Sequence, residues 1–271
     1  MKKTLLAILI SSLLFCGCGN VTVTVYSPVS AGFSYENYIN VIKFTKSLET
    51  NETETEKATE STETSKAEVP DSDQPALLTE KLKSLGKSYS DITYNQLILV
   101  VSSSNTAKVY CYDLDNGKWT VNSSLSDISG YVGKNGVSSS KKEGDNCSPV
   151  GVYALGDAFG ILDNPGTSLN YRKVTNNSYF VDDTSSSYYN TWVESDGNLT
   201  WSSAEHMIDH NPNYNYGVIV NYNMDPIVPG NGSAIFLHCG TSSTAGCVAV
   251  SQDSMKNILL WLRPGAGIII T

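Results

Sequence analysis

The sequence predicts a mainly β domain over residues 80–271, a β-sandwich or irregular barrel with a few short helices. Three observations lead to this fold class. Short segments with strand-like composition recur between turn signals, Asp115-Asn116-Gly117 separates two of them, and only two segments have helical spacing. Asn-Gly supplies the positive φ values that a two-residue hairpin turn needs. The domain is long enough to bury a sizeable core.

Eight strands are predicted from segments rich in β-branched, aromatic and aliphatic residues. They cover residues 96–101, 108–113, 119–122, 150–155, 179–182, 217–222, 234–238 and 248–251. The second and third flank the Asn-Gly turn, so they should pair as a hairpin.

Two helices are predicted. The first covers residues 77–85, has leucines at helical spacing and ends at Gly86. The second follows Ser251, a suitable N-cap, and ends before Arg263. Its apolar stripe consists of Met255, Ile258, Leu259 and Leu262.

The N-terminus has the pattern of an export signal. Lys2 and Lys3 are followed by a short apolar stretch, and residues 15–18 (Phe-Cys-Gly-Cys) resemble the lipobox of bacterial lipoproteins. We therefore expect residues 1–17 to be a signal peptide and Cys18 to be the lipidated mature N-terminus. Plain secretion and an uncleaved anchor are the alternatives.

Residues 49–75 differ in composition from the rest of the chain. Glu, Thr, Ser and Lys dominate, and no large apolar residue occurs between Leu48 and Val69, so we predict a disordered linker. Residues 18–48 receive no assignment. The net charge of −9 and the lack of a basic stripe argue against nucleic acid as a partner.

A histidine and a cysteine near the C-terminus suggest nucleophilic catalysis. His238 ends one predicted strand and Cys247 immediately precedes another. A neighbouring imidazole can take the proton of a thiol and return it to a leaving group. Gly246 permits a tight turn, so the amides of Ala245, Gly246 and Cys247 could form an oxyanion hole. Ordinary strand-end residues, a disulfide and a zinc site are the other interpretations of this pair.

This stretch resembles the signature of the L,D-transpeptidase catalytic domain, the YkuD family, in which a strand-end histidine precedes a Ser/Thr-x-Gly-Cys turn. The matching turn here is Thr244-Ala245-Gly246-Cys247. Further similar motifs occur upstream in the same order, so the resemblance extends over roughly residues 95–271. They are Val132-Gly133-Lys134-Asn135-Gly136, Lys142-Glu143-Gly144-Asp145, Ser148-Pro149-Val150-Gly151-Val152-Tyr153, Ala158-Phe159-Gly160 and Val181-Asp182-Asp183 with Tyr188-Tyr189-Asn190.

The resemblance implies a cysteine enzyme that acts on peptidoglycan stem peptides. Cys247 would be the nucleophile, His238 the general base, and the backbone carbonyl of Cys239 would orient the imidazole. D-alanine would leave, and an amine of a neighbouring stem would resolve the thioester as a 3-3 cross-link. Water in place of the amine would make the protein an L,D-carboxypeptidase, and loss of activity would leave a wall-binding module. The resemblance implies no metal and no organic cofactor.

Two positions depart from the family pattern. Ala245 stands where a histidine is usual, Ala249 where an arginine is common, and the interval between His238 and Cys247 is short. Neither departure removes the nucleophile or the base. They leave open how the acceptor is bound, and with it the choice between transfer and hydrolysis.

Several other residues are candidates for substrate contact. Asp183, Tyr189 and Asn190 lie in the stretch that resembles the cleft side of the family, and Ser243 lies in the loop before the nucleophile. Turn formation and packing explain the first three almost as well. His206 and His210 have i, i+4 spacing on a possible helix, which suggests surface histidines or, alternatively, a zinc site.

The cysteines permit more than one redox state. A pairing of Cys111 with Cys147 would leave Cys247 free, while Cys239 with Cys247 could form a reversible oxidised state. Unpaired thiols are the alternative. For the whole protein we expect export and a lipid anchor at Cys18 on the outer face of the cytoplasmic membrane or in the cell wall. We expect peptidoglycan stem peptides as partners and a monomeric state.

Overall fold

A computed structural model gives the fold of residues 70–271. The predicted signal peptide 1–17, the lipidation site Cys18, the segment 18–48 and most of the linker 49–75 lie outside the described residues. Within these residues neither helix is long and apolar enough to cross a membrane.

The described part of the chain forms fifteen strands, numbered β1 to β15 in chain order, and two α-helices. The strands are Gln96–Ser103, Thr106–Asp115, Lys118–Val121, Ile128–Tyr131, Val137–Ser138, Ser148–Pro149, Gly151–Gly160, Tyr171–Lys173, Ser178–Val181, Thr191–Glu194, Ala204–His206, Gly217–Val220, Phe236–Cys239, Val248–Val250 and Ala266–Ile270. Helix α1 is Ala76–Ser84 and helix α2 is Gln252–Trp261.

Eight of the strands close into a barrel. Their order is β1-β15-β7-β12-β13-β14-β4-β2, and β2 pairs with β1 to complete the ring. Strand β3 extends β2, and β8 extends β7. A separate antiparallel sheet has the order β10-β9-β11, while β5 and β6 form a short parallel pair. The prediction of a mainly β fold with a barrel-like sheet is confirmed.

Residues alternate between the two sides of the barrel wall, as the two-residue period of a strand requires. On β1, Ile98 and Val100 join a buried cluster to which all the other ring strands and α2 contribute. Leu97 and Leu99 point the other way and pack with α1. The wall is therefore apolar on both faces, and each face needs its own cover.

The outer face of β7, β12 and β13 is covered by the three-stranded sheet. Phe180 of β9 packs edge-on against Phe236 of β13, with ring centroids 5.0 Å apart, and Trp192 of β10 lies 5.7 Å from Phe159 of β7. We call this buried set the outer cluster. Its members are Phe159, Val174, Phe180, Met207, Tyr214, Ile219, Ala234, Phe236 and Cys247.

Both predicted helices are present. Helix α1 precedes Gly86, whose φ is +64°, and α2 follows Ser251, whose hydroxyl accepts a hydrogen bond from the amide of Ser254. The predicted stripe on the second helix is buried. The fold begins earlier than residue 80, because the buried side chain of Gln74 bonds Gly117 and Trp119 of the first hairpin.

All eight predicted strands occur, several with longer bounds, and the Asn-Gly hairpin is confirmed. Asp115 pairs with Lys118, and Asn116 and Gly117 have φ of 49° and 82°. Seven strands were missed: β4, β5, β6, β8, β10, β11 and β15. The possible helix around His206 and His210 is wrong, because β11 ends at His206 and a 3₁₀ turn, Met207–His210, follows.

The predicted Cys111–Cys147 disulfide is absent. Cys111 is a free thiol in the cluster inside the barrel wall, whereas Cys147 is a partly exposed free thiol. The Cys147 sulfur instead lies 3.6 Å from the carbonyl oxygen of Asn135. Cys239 and Cys247 are also free and point into different clusters on opposite faces of the wall, which argues against the oxidised pair.

Candidate active site

The candidate nucleophile and base lie on two neighbouring parallel strands. Leu237 of β13 pairs with Val248 of β14, and His238 pairs with Ala249. His238 and Cys247 therefore project on the same side of the wall, the side of the outer cluster. As the sequence predicts, His238 lies near the end of one strand and Cys247 immediately before a neighbouring one.

A network of hydroxyl groups fixes the turn before β14. The carbonyl oxygen of Cys247 accepts hydrogen bonds from the hydroxyls of Thr244, at 2.6 Å, and Ser148, at 3.0 Å. The Thr244 hydroxyl oxygen also accepts a hydrogen bond from the amide of Gly246 at 3.1 Å. The Gly246 amide is thus engaged, which corrects its assignment to a free oxyanion hole. Within residues 70–271 the amides of Ala245 and Cys247 have no hydrogen-bond partner.

The thiol of Cys247 is buried, with 7% of the residue exposed. It donates a hydrogen bond to the carbonyl oxygen of Ala234 at 3.1 Å and accepts one from the amide of Phe236 at 3.3 Å. Burial strongly raises the pKa of this thiol, and the charge of Glu205 raises it further. In this arrangement the proton of Cys247 faces Ala234, and no hydrogen bond within the described residues joins the thiol to His238.

The imidazole of His238 is held by the backbone. Its Nδ1 lies 2.7 Å from the carbonyl oxygen of Cys239, the contact that the family resemblance implies. Because a carbonyl oxygen only accepts hydrogen bonds, Nδ1 carries the proton and Nε2 keeps a lone pair. Burial lowers the pKa of His238 to about 4, so the ring is neutral at pH 7. The backbone of Asn213 also forms a hydrogen bond with this ring and raises its pKa, but burial outweighs both backbone contacts. A neutral imidazole can take a proton from a thiol.

Tyr214 and Glu205 complete the wall around the thiol. The ring of Tyr214 lies edge-on to His238, with centroids 5.2 Å apart, and belongs to the same outer cluster as Cys247. Its hydroxyl donates a hydrogen bond to Glu205. Burial raises the pKa of Glu205 to about 7 and raises the pKa of Tyr214 well above its usual value.

A buried ion pair supports the turn from the opposite side. The side chain of Lys141 is 3% exposed, and its ammonium lies 2.7 Å from Asp145. Its aliphatic part packs close to Gly246. The positive charge of Lys141 lowers the pKa of Cys247, although burial and Glu205 outweigh it.

The sequence comparison decides the family. Residues 96–270 match the family model of the L,D-transpeptidase catalytic domain, YkuD, which is more than half of the chain. The chain belongs to the L,D-transpeptidase catalytic domain family. Members of this family act on peptidoglycan. A search of the curated proteins gives no match to the chain.

The L,D-transpeptidase fold here contains the two departures noted in the sequence. Ala249 is directly opposite His238 in the parallel pair, so a methyl group lies where an arginine is common. Ala245 is exposed at the turn and offers only its backbone. Neither position supplies a charge or a titratable side chain to this L,D-transpeptidase site.

Two of the predicted substrate-binding residues are buried and already bonded. Tyr189 donates a hydrogen bond to Glu143 and accepts one from the amide of Gly232. Asn190 donates to the carbonyl oxygens of Tyr222 and Asn223, at 3.0 and 2.7 Å. With 2% of each residue exposed, neither can contact a substrate in this structure, so the prediction is wrong for both. Both residues support the fold of the site instead.

Asn190 has a specific structural connection to the thiol. Its side-chain oxygen accepts a hydrogen bond from the amide of Ala234, whose φ is +53°. The carbonyl oxygen of Ala234 is the acceptor of the Cys247 thiol. Asn190 therefore positions the backbone group that holds the nucleophile.

The other two candidates have different surroundings. Asp183 accepts hydrogen bonds from the amides and hydroxyls of Ser185 and Ser202, which hold its pKa well below the usual range. It ties two loops together, as the turn-forming alternative predicts. Ser243 is partly exposed in the loop before the nucleophile, so its predicted substrate contact stays a prediction.

The two histidines of the zinc hypothesis have other partners. Nδ1 of His206 lies 2.8 Å from Asp209 and Nε2 lies 2.8 Å from the carbonyl oxygen of Asn176, while His210 stacks on Tyr214. Among the described residues no group of three or more His, Cys, Asp or Glu side chains has a metal-binding arrangement.

Sequence reasoning missed several residues of the site. Thr244 and Ser148 are the first residues of two motifs that resemble the family, and this position was the signal that could have identified them. Lys141 directly precedes another quoted motif. Glu205 and Tyr214 gave no signal, because tertiary packing brings them to the thiol: Glu205 lies on β11 of the three-stranded sheet and Tyr214 lies in the 3₁₀ turn Asn213–Asn215 before β12.

Proposed function

We propose that this protein is a cysteine L,D-transpeptidase of peptidoglycan stem peptides. The observation that carries the proposal is the placement of Cys247 and a neutral His238 on the same face of two paired parallel strands, with Nδ1 of His238 held by the Cys239 carbonyl. The family membership supplies the substrate class.

The first half-reaction begins when the Cys247 thiol turns from Ala234 toward Nε2 of His238. His238 accepts the proton, and the thiolate attacks the carbonyl between stem residue three and the terminal D-alanine. The amides of Ala245 and Cys247, which have no partner among residues 70–271, would stabilise the oxyanion. His238 then protonates the leaving amine, D-alanine departs, and a thioester remains on Cys247.

An amine of a second stem resolves the thioester in a transpeptidase, and the product is a 3-3 cross-link. The absence of charged side chains at Ala245 and Ala249 favours a second candidate, an L,D-carboxypeptidase in which water is the acceptor. The two enzymes share the acylation step and differ only in what attacks the thioester.

The full-length protein, purified in detergent, should be incubated with disaccharide tetrapeptides and analysed by mass spectrometry. Transpeptidation gives D-alanine and a cross-linked dimer, while hydrolysis gives D-alanine and the tripeptide. We expect Cys247→Ala to abolish both products and Cys147→Ala, a nearby partly exposed thiol, to retain them. Binding of peptidoglycan without any Cys247-dependent product would instead support the wall-binding module.

We also propose that Cys18 carries a lipid and keeps the protein at the outer face of the cytoplasmic membrane or in the cell wall. Labelling of expressing cells with a radioactive fatty acid should mark the wild type and not Cys18→Ala. Equal labelling of Cys18→Ala and wild type would contradict the lipoprotein hypothesis. Size-exclusion chromatography with light scattering would test the expected monomer.

A further inference from the structure

A carboxyl group beside the candidate nucleophile has no part in the acylation steps. Glu205 lies on β11, is partly buried and accepts a hydrogen bond from the Tyr214 hydroxyl. Tyr214, its hydrogen-bond donor, belongs to the same buried outer cluster as Cys247, which places the carboxyl group on the side of the thiol. Within residues 70–271 it forms no ion pair with a lysine or arginine. A buried carboxylate without a cation is costly, and a bound cation would relieve that cost.

The surroundings of Glu205 add negative charge. Asp182 and Glu143 are both close enough for their charges to raise its pKa. The Oδ1 atom of Asp182 is buried and has no hydrogen-bond partner. The one cation near the thiol, Lys141, is already paired with Asp145. The site therefore has a buried oxygen without a donor and an excess of carboxyl groups, an arrangement that suits a ligand with N–H donors and a positive charge.

Glu205 is also connected to the candidate base. Tyr214, its hydrogen-bond donor, lies edge-on to both His238 and Phe236. Tyr214 thus contacts the carboxyl group through its hydroxyl and the imidazole through its ring. The residue as a whole is partly exposed, whereas its carboxyl group is buried against the Tyr214 hydroxyl.

We propose that Glu205 binds the ammonium group of the acceptor stem and removes its proton before attack on the thioester. This inference rests on the proposed transpeptidase function and names the residue that recognises the acceptor. The acceptor would be a primary amine on the diamino acid of a second stem. Asp182, through its unpaired oxygen, would accept a second N–H of the same ammonium group.

The proton and electron balance of this step is complete. Glu205 takes one proton from the ammonium group, and the neutral amine attacks the thioester carbonyl. A C–N bond forms, the C–S bond breaks, and the thiolate of Cys247 leaves. His238 takes a second proton from the nitrogen and returns it to the thiolate, and Glu205 releases its proton to solvent. No further reactant is required.

The test compares full-length wild type with Glu205→Gln on disaccharide tetrapeptides. The matched control is Glu194→Gln, which removes a carboxylate from the same three-stranded sheet. We expect Glu205→Gln to accumulate the acyl-enzyme on Cys247, with about one equivalent of D-alanine released per enzyme, and to form dimer about 100-fold more slowly at pH 7. Near pH 10, where about half of the acceptor amine is neutral without a base, dimer formation should largely recover.

A purely structural contribution of Glu205 would not give recovery at high pH. Wild-type rates of dimer formation by Glu205→Gln would overturn the proposal, as would slow dimer formation without accumulation of the acyl-enzyme. Release of D-alanine without dimer by the wild type would also overturn it and leave the carboxypeptidase function standing. Retention of D-alanine release by Cys247→Ala would refute the proposed function itself, which is a separate result.

Discussion

The hydroxyl of Thr244 donates a hydrogen bond to the carbonyl oxygen of Cys247, with the two oxygens 2.6 Å apart. The same hydroxyl oxygen accepts the amide of Gly246. Thr244→Val keeps the shape of the side chain and removes both hydrogen bonds. We expect it to raise the activation free energy by about 1.4 kcal/mol and so to slow D-alanine release about tenfold. Thr241→Val, in the exposed part of the same loop, should be neutral. Unchanged kinetics in Thr244→Val would show that Ser148 suffices to hold the turn.

The four cysteines of the domain should differ strongly in reactivity. The Cys147 thiol is partly exposed, whereas Cys111, Cys239 and Cys247 are buried and burial raises the pKa of each. Alkylation requires an accessible thiolate, so iodoacetamide at pH 8 should modify Cys147 first. Peptide mass spectrometry over a time course measures this order. Faster modification of Cys247 than of Cys147 would contradict the closed arrangement of the thiol.

Glu205 should make the free energy of unfolding depend on pH. Burial raises its pKa from 4.5 to about 7 on folding, so between these values the folded protein holds a proton that the unfolded chain has lost. Wild-type stability should therefore fall as pH rises through this window. Glu205→Gln lacks that proton, so its stability relative to wild type should increase from pH 4.5 to 7 and then stay constant.

His238 acts in the opposite direction in both proteins, because its pKa falls from 6.5 to about 4 on folding. Its contribution increases stability as pH rises from 4 to 6.5 and cancels in the comparison of the two variants. Urea denaturation at a series of pH values gives the difference directly. A difference that does not change with pH would mean that Glu205 titrates normally in the fold.

Asn190 should be important for stability although it is distant in sequence from the candidate pair His238 and Cys247. Asn190→Ala leaves the amide of Ala234 and two carbonyl oxygens without partners, and we expect a loss of about 3 kcal/mol. Asn190→Gly also removes the side-chain amide but tolerates the positive φ of 57°. The difference between the two variants therefore separates the loss of hydrogen bonds from backbone strain. Asn198→Ala in an exposed loop should be neutral in the same denaturation assay. A loss of less than about 0.5 kcal/mol in Asn190→Ala would contradict this account.

The sequence was sufficient for local elements and for the choice of His238 and Cys247 as the candidate pair. Alternating apolar residues and the Asn-Gly turn predicted the first hairpin, because local twist and positive φ determine such a turn. Ser251 and the apolar stripe predicted α2. His238 and Cys247 were found because their order and spacing match a family motif over a short stretch of chain.

Other parts of the site depend on contacts between distant segments. β11 was missed because Ala204–His206 becomes a strand only through pairing with β9. Tyr189 and Asn190 were assigned to the substrate because polar residues in a loop usually face solvent, whereas here they satisfy buried backbone groups. The Cys111–Cys147 disulfide was suggested because this pairing leaves Cys247 free. That argument carries no information about which face of a strand each thiol occupies.

The connection between the parallel strands β13 and β14 is short, and its length affects the position of the candidate nucleophile. Parallel neighbours usually need a connection of a dozen or more residues, but here only residues 240–247 join Cys239 to Val248. The hydroxyls of Thr244 and Ser148 hold the end of this segment at Cys247. A change in the length of the segment would therefore have to be accommodated by the turn that holds the thiol.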